Sequence, residues 1–140
     1  MFNTSYSLEQ LNAMGQNNML NHLGIEFVEL TADYLVAKMP VDHRTKQPMG
    51  LLHGGASVVL SESLGSVASF LSLPDPTKQT AVGVEINANH LKSAKSGFVY
   101  GKCTPIKIGR NIQVWETQIT NEAGDLICVS RLTTMVIDIK

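Results

Sequence analysis

The chain has 140 residues, a length typical of one domain with a sizeable core, so residues 1–140 are expected to fold as one domain. The formal net charge of -1 and the sequence pI of about 6.4 leave none of the basic excess that nucleic-acid binding requires. No apolar stretch is judged long enough to span a membrane, the N-terminus lacks the pattern of a signal peptide, and the two cysteines and four histidines lack metal-ligand spacing. These features predict a cytoplasmic protein with reduced cysteines, no membrane contact and no metal.

The N-terminal part predicts a short helix and a hairpin. Residues 7–10 (SLEQ) fit a capping box, and the helix that they start is expected to end at Gly15. A second short turn is predicted over residues 18–22. Two runs of strand-forming residues, 25–30 and 34–39, are separated by a polar break. They predict an antiparallel β-hairpin.

A long helix is predicted next, and the rest of the chain is organised around it. Its start is rich in glycine (residues 47–55, QPMGLLHGG), its body runs over residues 56–71, and Pro74 prevents it from continuing. Apolar residues occur nearly all round the helix, and such a helix is expected to be buried. Glu62 is the one charged residue of the helix body. Because burying an unpaired carboxylate is costly, Glu62 is expected to be paired, neutralised or used in a reaction.

Four more strands are predicted after this helix, over residues 80–91, 98–104, 112–120 and 126–139. Residues 105–111 are expected to form a loop and residues 121–125 a turn. In the first of these strands, strict alternation assigns one face to Val82, Val84, Ile86 and Ala88 and the other to Gly83, Glu85, Asn87 and Asn89. The order of elements predicts an α+β hotdog fold, in which an antiparallel six-stranded sheet wraps around one long central helix, with a short N-terminal helix.

The length of the central helix leads to a prediction about assembly. The first turn of a helix leaves N–H groups without partners, which makes this end a candidate to stabilise a developing oxyanion. Gly54 and Glu62 are eight residues apart, or roughly 12 Å along the helix axis, which is too far for both to act on one carbonyl group. Two such helices lying antiparallel across a two-fold axis would bring the two groups together twice. The spacing therefore predicts a homodimer with two shared active sites.

The segment from Gln47 to Ser66 (QPMGLLHGGASVVLSESLGS) resembles the signature of hotdog acyl-CoA thioesterases that use a helix glutamate. This family includes the glutamate-type 4-hydroxybenzoyl-CoA thioesterases and the bacterial 1,4-dihydroxy-2-naphthoyl-CoA hydrolases of menaquinone synthesis. The likeness extends to LNAMG, MPVD, EINANH and RLTT elsewhere in the chain. It implies hydrolysis of an aromatic acyl-CoA thioester to the free acid and coenzyme A, and an assembly of two dimers into a homotetramer. No cofactor is expected, since coenzyme A is part of the substrate.

The resemblance also implies roles for particular residues. Glu62 is expected to act as nucleophile or general base, while the Gly54 N–H polarises the thioester carbonyl. His53 and Gln47 are expected to support or orient that end, and Ser66 to place the water or the acyl group. The residues expected to contact coenzyme A are Gly83, His90, Leu91, Lys92, Ser93, Lys107, Ile108, Gly109, Arg110, Asn111 and Ile112. Candidates to line an acyl pocket are Met49, Phe70, Leu71 and Tyr34.

Three other functions stay open at this point. One is a broad-range acyl-CoA thioesterase of housekeeping type. Another is a hotdog hydratase or dehydratase, in which His53 and Glu62 share acid-base duty. The third is a non-catalytic domain that binds acyl-CoA. The many helix serines do not favour a serine hydrolase, because the chain has no G-x-S-x-G elbow.

Overall fold

Residues 2–140 are described by a computed structural model, and they form helices and strands in the predicted order. The elements are α1 (Leu8–Ala13), α2 (Met19–His22), β1 (Glu26–Leu30), β2 (Leu35–Pro40), α3 (Gly54–Leu71), β3 (Gln79–His90), β4 (Phe98–Ile108), β5 (Ile112–Thr120) and β6 (Leu126–Asp138). The strands pair antiparallel in one six-stranded sheet with the order β1-β2-β4-β5-β6-β3. Since this sheet packs against α3, the predicted hotdog fold is confirmed.

The two short helices form where their capping residues predict. Ser7 Oγ accepts the Gln10 N–H at 3.1 Å and Gln10 Oε1 accepts the Ser7 N–H at 2.8 Å, so the capping box is present. Asn18 caps α2 by accepting an N–H of its first turn at 3.2 Å. The side chain of Asn12 then joins α1 to β1, because it donates to the carbonyl of Phe27 and accepts from its N–H.

α3 is held on the sheet by apolar packing and by one buried polar network. Leu60 and Leu64 have no exposed surface. Trp115 Nε1 donates to Ser69 Oγ at 2.7 Å, and Ser69 Oγ shares a second hydrogen bond of 2.7 Å with Thr134 Oγ1. Because a buried polar atom without a partner is costly, this network fixes the rotation of α3 over β5 and β6.

The expectation that α3 is buried on all sides is wrong for the single chain. Glu62 and Ser66, one helical turn apart, are both exposed. The physical reason is that one sheet covers only one side of a helix. No other element of residues 2–140 covers the stripe of α3 that carries Glu62 and Ser66. The expectation that no stretch reaches membrane-spanning length is also wrong, since α3 passes that test by length and composition. It is nevertheless the core helix of the sheet, with 56% of its residues buried.

A β-bulge changes the predicted faces of β3. The register with β6 shifts between Gly83 and Glu85, so the alternation is interrupted there. Gly83 faces α3, where a Cβ on it would lie 3.0 Å from Glu62 Oε2, and Val82 therefore faces outward. Ile86, beyond the bulge, packs on the core. The prediction that grouped Val82 with Ile86 is wrong, because an alternating sequence does not reveal an extra residue in the ladder.

β4 is longer than predicted. Residues 105–108, expected to be loop, continue the strand and pair with β5 across a register shift between Pro105 and Lys107. β2 pairs with β4 only as far as Cys103, so this end of β4 has a free edge. A proline is tolerated there because it lies on this free edge and at the register shift, where the ladder of hydrogen bonds is interrupted.

Candidate active site

The start of α3 leaves one backbone N–H without a partner. His53 is the N-cap residue, and its Nδ1 accepts the Gly55 N–H at 2.8 Å. The His53 carbonyl accepts the N–H groups of Ala56 at 3.0 Å and Ser57 at 3.3 Å. Within residues 2–140 no atom accepts the N–H of Gly54, the first residue of the helix. This N–H is therefore available to an anion or to a polarised carbonyl oxygen.

The segment before α3 is tied to the rest of the fold by main-chain hydrogen bonds. The His53 N–H donates to the Thr45 carbonyl at 2.8 Å, and the Leu52 N–H donates to the Ala94 carbonyl at 2.8 Å. Gln47 closes a turn, in which its Oε1 accepts a main-chain N–H two residues on at 2.5 Å. The side-chain carbonyl oxygen of Gln47 thus has a partner, whereas its side-chain NH₂ group remains available as a donor.

The start of α3 and the segment before it border a cleft of about 320 Å³, which we call the Gly54 cleft. Its lining brings two predicted catalytic residues together with four of the predicted coenzyme residues: Gln47, Gly54, His90, Leu91, Lys92 and Ser93. His90 is the last residue of β3, and its ring lies against the first residue of α3. The fold thus brings together candidate residues that are distant in sequence, a proximity that the sequence had not predicted.

Glu62 lies in a different place, a mostly apolar groove of about 370 Å³ that we call the Glu62 groove. Ser66 lines the same groove, together with Met14, Leu20, Val67 and Phe70. No side chain of residues 2–140 forms an ion pair with the Glu62 carboxylate. The groove therefore combines a free carboxylate with an apolar surface that suits an acyl group.

The predicted coenzyme residues do not form one cluster in the single chain. Gly83 lies against the Glu62 carboxylate rather than in the Gly54 cleft. Lys107 and Ile108 end β4, Gly109 belongs to the hairpin, and Ile112 starts β5. The hairpin residues Arg110 and Asn111 line a separate polar cleft of about 460 Å³ with Gln79 and Asp138.

Lys92, expected to attract a phosphate, already has an anionic partner. Its Nζ lies 2.6 Å from Asp125 Oδ2, and this hydrogen bond holds the pKa of Asp125 below its usual value. Both side chains are about half exposed, at 54% and 47%, so the pair is weak and can open. A phosphate group would have to compete with Asp125 for Lys92.

Some lining residues were not predicted, and only one of the four acyl-pocket candidates lines the Glu62 groove in the single chain. Ser57, Ala94 and Ile127 line the Gly54 cleft, and Val67 lines the Glu62 groove. Val67 was detectable, because residues 62, 66, 67 and 70 share one stripe at helical spacing. Of the acyl-pocket candidates Phe70 lines the groove, whereas Met49 is 80% exposed, Leu71 is in the core and Tyr34 hydrogen-bonds Glu29.

Two other kinds of site that residues 2–140 could provide are a metal site and a reactive thiol. No group of three or more His, Cys, Asp or Glu side chains within residues 2–140 is arranged to hold a metal ion. Cys103 and Cys128 are free and buried, as predicted. Burial raises the pKa of the Cys103 thiol to about 12, so this side chain stays protonated and is a poor nucleophile.

The sequence and the fold match a known family. A sequence model of the thioesterase superfamily matches residues 49–128, which is more than half of the chain. The chain is 55% identical to the 1,4-dihydroxy-2-naphthoyl-CoA hydrolase of Escherichia coli K12 over 94% of this chain and 95% of that protein. It is 49% identical to the proofreading thioesterase EntH of Cronobacter turicensis, over 93% of each chain.

Solved structures agree with the sequence relatives. A mutant of the thioesterase PA1618 from Pseudomonas aeruginosa superimposes with a TM-score of 0.96 at 45% identity, over 99% of each chain. The thioesterase HI1161 from Haemophilus influenzae gives a TM-score of 0.94 at 50% identity, over 98% of this chain and 94% of that one. The chain belongs to the thioesterase superfamily, and it is a thioester hydrolase with the hotdog fold.

Proposed function

We propose that this enzyme hydrolyses aromatic acyl-CoA thioesters in the cytoplasm, with a 1,4-dihydroxy-2-naphthoyl or hydroxybenzoyl group as the acyl part. The observation that carries the proposal is the free Glu62 carboxylate beside an apolar groove walled by Phe70 and Val67. An aromatic wall suits a flat ring, since aromatic rings attract one another beyond simple area burial. The name of the Escherichia coli relative supports the same acyl class.

In this reaction the acyl carbon gains an oxygen and loses the thiol. Glu62 either attacks the carbonyl carbon itself, to be released by water, or removes a proton from the water that attacks. The carbon–sulfur bond then breaks, and the coenzyme leaves as thiol after taking up a proton. Ser66, one turn from Glu62 in the same groove, is suited to orient the water or the acyl group.

The carbonyl oxygen becomes negative as the tetrahedral centre forms, and the Gly54 N–H is suited to stabilise it. A preorganised donor of this kind is typically worth about 3 to 4 kcal/mol. Preorganisation is supported by the main-chain hydrogen bonds of His53 and Leu52, which hold the preceding peptide groups. Gln47, with its free amide donors, is a supporting residue at the same end.

A shared dimeric site follows from the separation of the two groups. Because Glu62 and Gly54 lie roughly 12 Å apart along one helix, a carbonyl group that meets both must lie between two chains. Two features support a dimer: the exposed stripe of α3 and the long outer edge of β3, which no strand of residues 2–140 pairs with. Strands paired across such an edge would bring the two α3 helices side by side.

A tetramer and the path of coenzyme A are the further parts of this proposal. Exposed apolar side chains stand in one row across the outer face of the sheet, because Ile112 pairs with Met135 and Met135 with Val82. Such a row suits contact between two dimers. Lys107 and Arg110, which have no ion-pair partner within residues 2–140, are suited to the coenzyme phosphates.

The test combines a substrate panel with one substitution. Thiol release would be measured for naphthoyl, hydroxybenzoyl, phenylacetyl and straight-chain CoA thioesters, and the aromatic ones should have the highest kcat/KM. Glu62→Gln should lower kcat by about 10³-fold, within the range of general-base contributions. Glu26→Gln is the control, because the Glu26 carboxylate forms only an exposed ion pair with Lys38.

Each outcome decides a different part of the proposal. A preference for medium or long alkyl chains would replace the aromatic assignment by a broad-range thioesterase. Near wild-type turnover by Glu62→Gln would remove Glu62 from the reaction. With an enoyl-CoA thioester assayed beside the panel, loss of enoyl absorbance without thiol release would identify a hydratase.

A further inference from the structure

We propose that His90 is a positioning residue for the reaction: its imidazole ring holds the Gly54 peptide, and with it the free N–H, in the orientation that the thioester carbonyl uses. The proposal rests on the proposed function, which assigns the Gly54 N–H to the carbonyl oxygen. It goes beyond the expected contact of His90 with coenzyme A, because it gives this ring a role in the chemical step.

The ring of His90 occupies the space where a side chain at position 54 would begin. A Cβ built on Gly54 would lie 2.8 Å from Nε2, 3.1 Å from Cε1 and 3.2 Å from Cδ2 of His90. The outer edge of the imidazole therefore points at the Gly54 Cα. The backbone of His90 pairs with Cys128 of β6, so the contact of its ring with Gly54 joins the edge strand to the start of the helix.

Backbone conformation does not explain the glycine at position 54. Glycines with positive φ occur at Gly24, Gly50, Gly97 and Gly124, and Gly54 is not among them. An alanine would adopt the Gly54 backbone without strain. The group that a side chain at position 54 would meet is therefore the His90 ring, which would have to move to make room for it.

Two contacts then define the orientation of the Gly54 peptide. On one side His53 is anchored by its N–H, which donates to Thr45, and by its side-chain bond to the Gly55 N–H. On the other side the His90 ring abuts the Gly54 Cα. Without the ring, this glycine has free space beside it and regains conformational freedom, and a misplacement of about 1 Å can cost about 10²-fold in rate.

A role in positioning and a role in coenzyme binding predict different kinetics. His90→Ala should lower kcat by about 10-fold while KM and the inhibition constant of free coenzyme A change less than about 3-fold. His90→Gln should recover most of kcat, because its terminal amide reaches about as far as Nε2. Asn89→Ala is the matched control, since this exposed residue is the neighbour of His90 on the same strand. It should behave as wild type.

A double substitution tests the contact itself. Gly54→Ala keeps the N–H but places a methyl group against the His90 ring, so kcat should fall by about 30-fold. Adding His90→Ala removes the obstacle, so the double variant should turn over about as fast as His90→Ala alone, not about 300-fold below wild type as independent effects would give. Thermal melting of each variant shows whether it is folded.

The outcomes separate this proposal from the proposed function. A His90→Ala enzyme with wild-type kcat and a raised KM, or losses that simply multiply in the double variant, would overturn the positioning role. If Glu62→Gln is inactive in the same assay, the proposed function stands even then. If Gly54→Ala does not fold, the comparison of His90→Ala with His90→Gln still decides.

Discussion

The start and the middle of α3 differ in how completely one chain builds them. At the start, His53 and Leu52 donate to carbonyls of neighbouring segments, the helix is capped, and the His90 ring packs on Gly54. In the middle, Glu62 and Ser66 are exposed and line a groove that the single chain leaves open to solvent. The donor of the proposed oxyanion site is thus preorganised within a single chain, whereas the surroundings of the carboxylate are left open by the single chain and would be completed by a second chain in the proposed dimer.

This difference has a physical basis. A donor N–H needs a rigid backbone, and main-chain hydrogen bonds provide one without help from a partner. A carboxylate on an apolar helix would be costly to bury inside one chain without a cation or donors. Exposure of Glu62 on the single chain avoids that cost during folding, and in the proposed dimer the carboxylate would be enclosed only together with substrate.

The largest expected effect concerns the start of the helix. Gly54→Pro removes the N–H at the first helical position, where proline is well tolerated, and His53 already has the extended conformation that a following proline requires (φ -69, ψ 130). Relative to Gly54→Ala, which also carries a Cβ, kcat should fall by a further 10² to 10³-fold, roughly the value of one oxyanion donor. Steady-state kinetics on the two variants measures it. Equal rates for the two variants would exclude the N–H from catalysis.

A smaller expected effect, the activity regained by mixed dimers, tests whether Glu62 of one chain meets the Gly54 N–H of another. Glu62→Gln and Gly54→Pro chains, each nearly inactive alone, would be co-expressed with different tags. Half of the dimers should then be mixed with one of two sites intact, so activity should return to about a quarter of wild type. Two differently tagged Glu62→Gln chains are the control. Purified mixed dimers that stay as inactive as their parents would contradict a shared site.

The smallest effect concerns the turn that supports the start of the helix. Hydrogen bonds from Arg44, at 2.7 Å for Nη2 to Oδ2, lower the pKa of Asp42 from 3.8 to about 2. A lowered pKa in the folded state stabilises the protein above pH 3.8, and this contribution is lost as the pH falls toward 2. The Asp42 side chain is 34% exposed, so we expect only about 0.5 kcal/mol, as for other exposed ion pairs.

Asp42→Asn should therefore unfold more easily than wild type at neutral pH, and the difference should close near pH 2. Urea unfolding at several pH values measures it, with the exposed Asp33→Asn as control. Turnover should stay within about twofold of wild type, because Thr45 still accepts the His53 N–H. A difference that persists unchanged at pH 2 would assign the stabilisation to something other than the charge.

Local signals in the sequence predicted most elements of the fold. The capping box at Ser7 and Gln10 is a contact within one turn, so the residues themselves reveal it. The span of β5 was predicted correctly as residues 112–120, since its ends are marked by turn residues. The extension of β4 through Pro105 was missed, because a proline usually ends a strand, and its presence is explained only by tertiary features, the free edge beyond Cys103 and the register shift against β5.

The candidate site divides in the same way. Gly54 and Glu62 were singled out by their chemistry and their spacing along one helix, and Ser66 by the family resemblance of the same segment. The contacts of His90 with Gly54 and of Gly83 with Glu62 join positions more than 20 residues apart in sequence. The contact of Gly83 also depends on a bulge that alternation cannot reveal.

By itself, the sequence determined the central helix, its one carboxylate and the distance of roughly 12 Å between that carboxylate and the helix start, because all of these belong to one continuous segment with regular helical geometry. Only the tertiary structure decided which residues of β3 face those two points and which side of α3 is left uncovered. Such facts depend on strand register and on how the sheet curves around the helix, and both are set by packing between segments far apart in the chain.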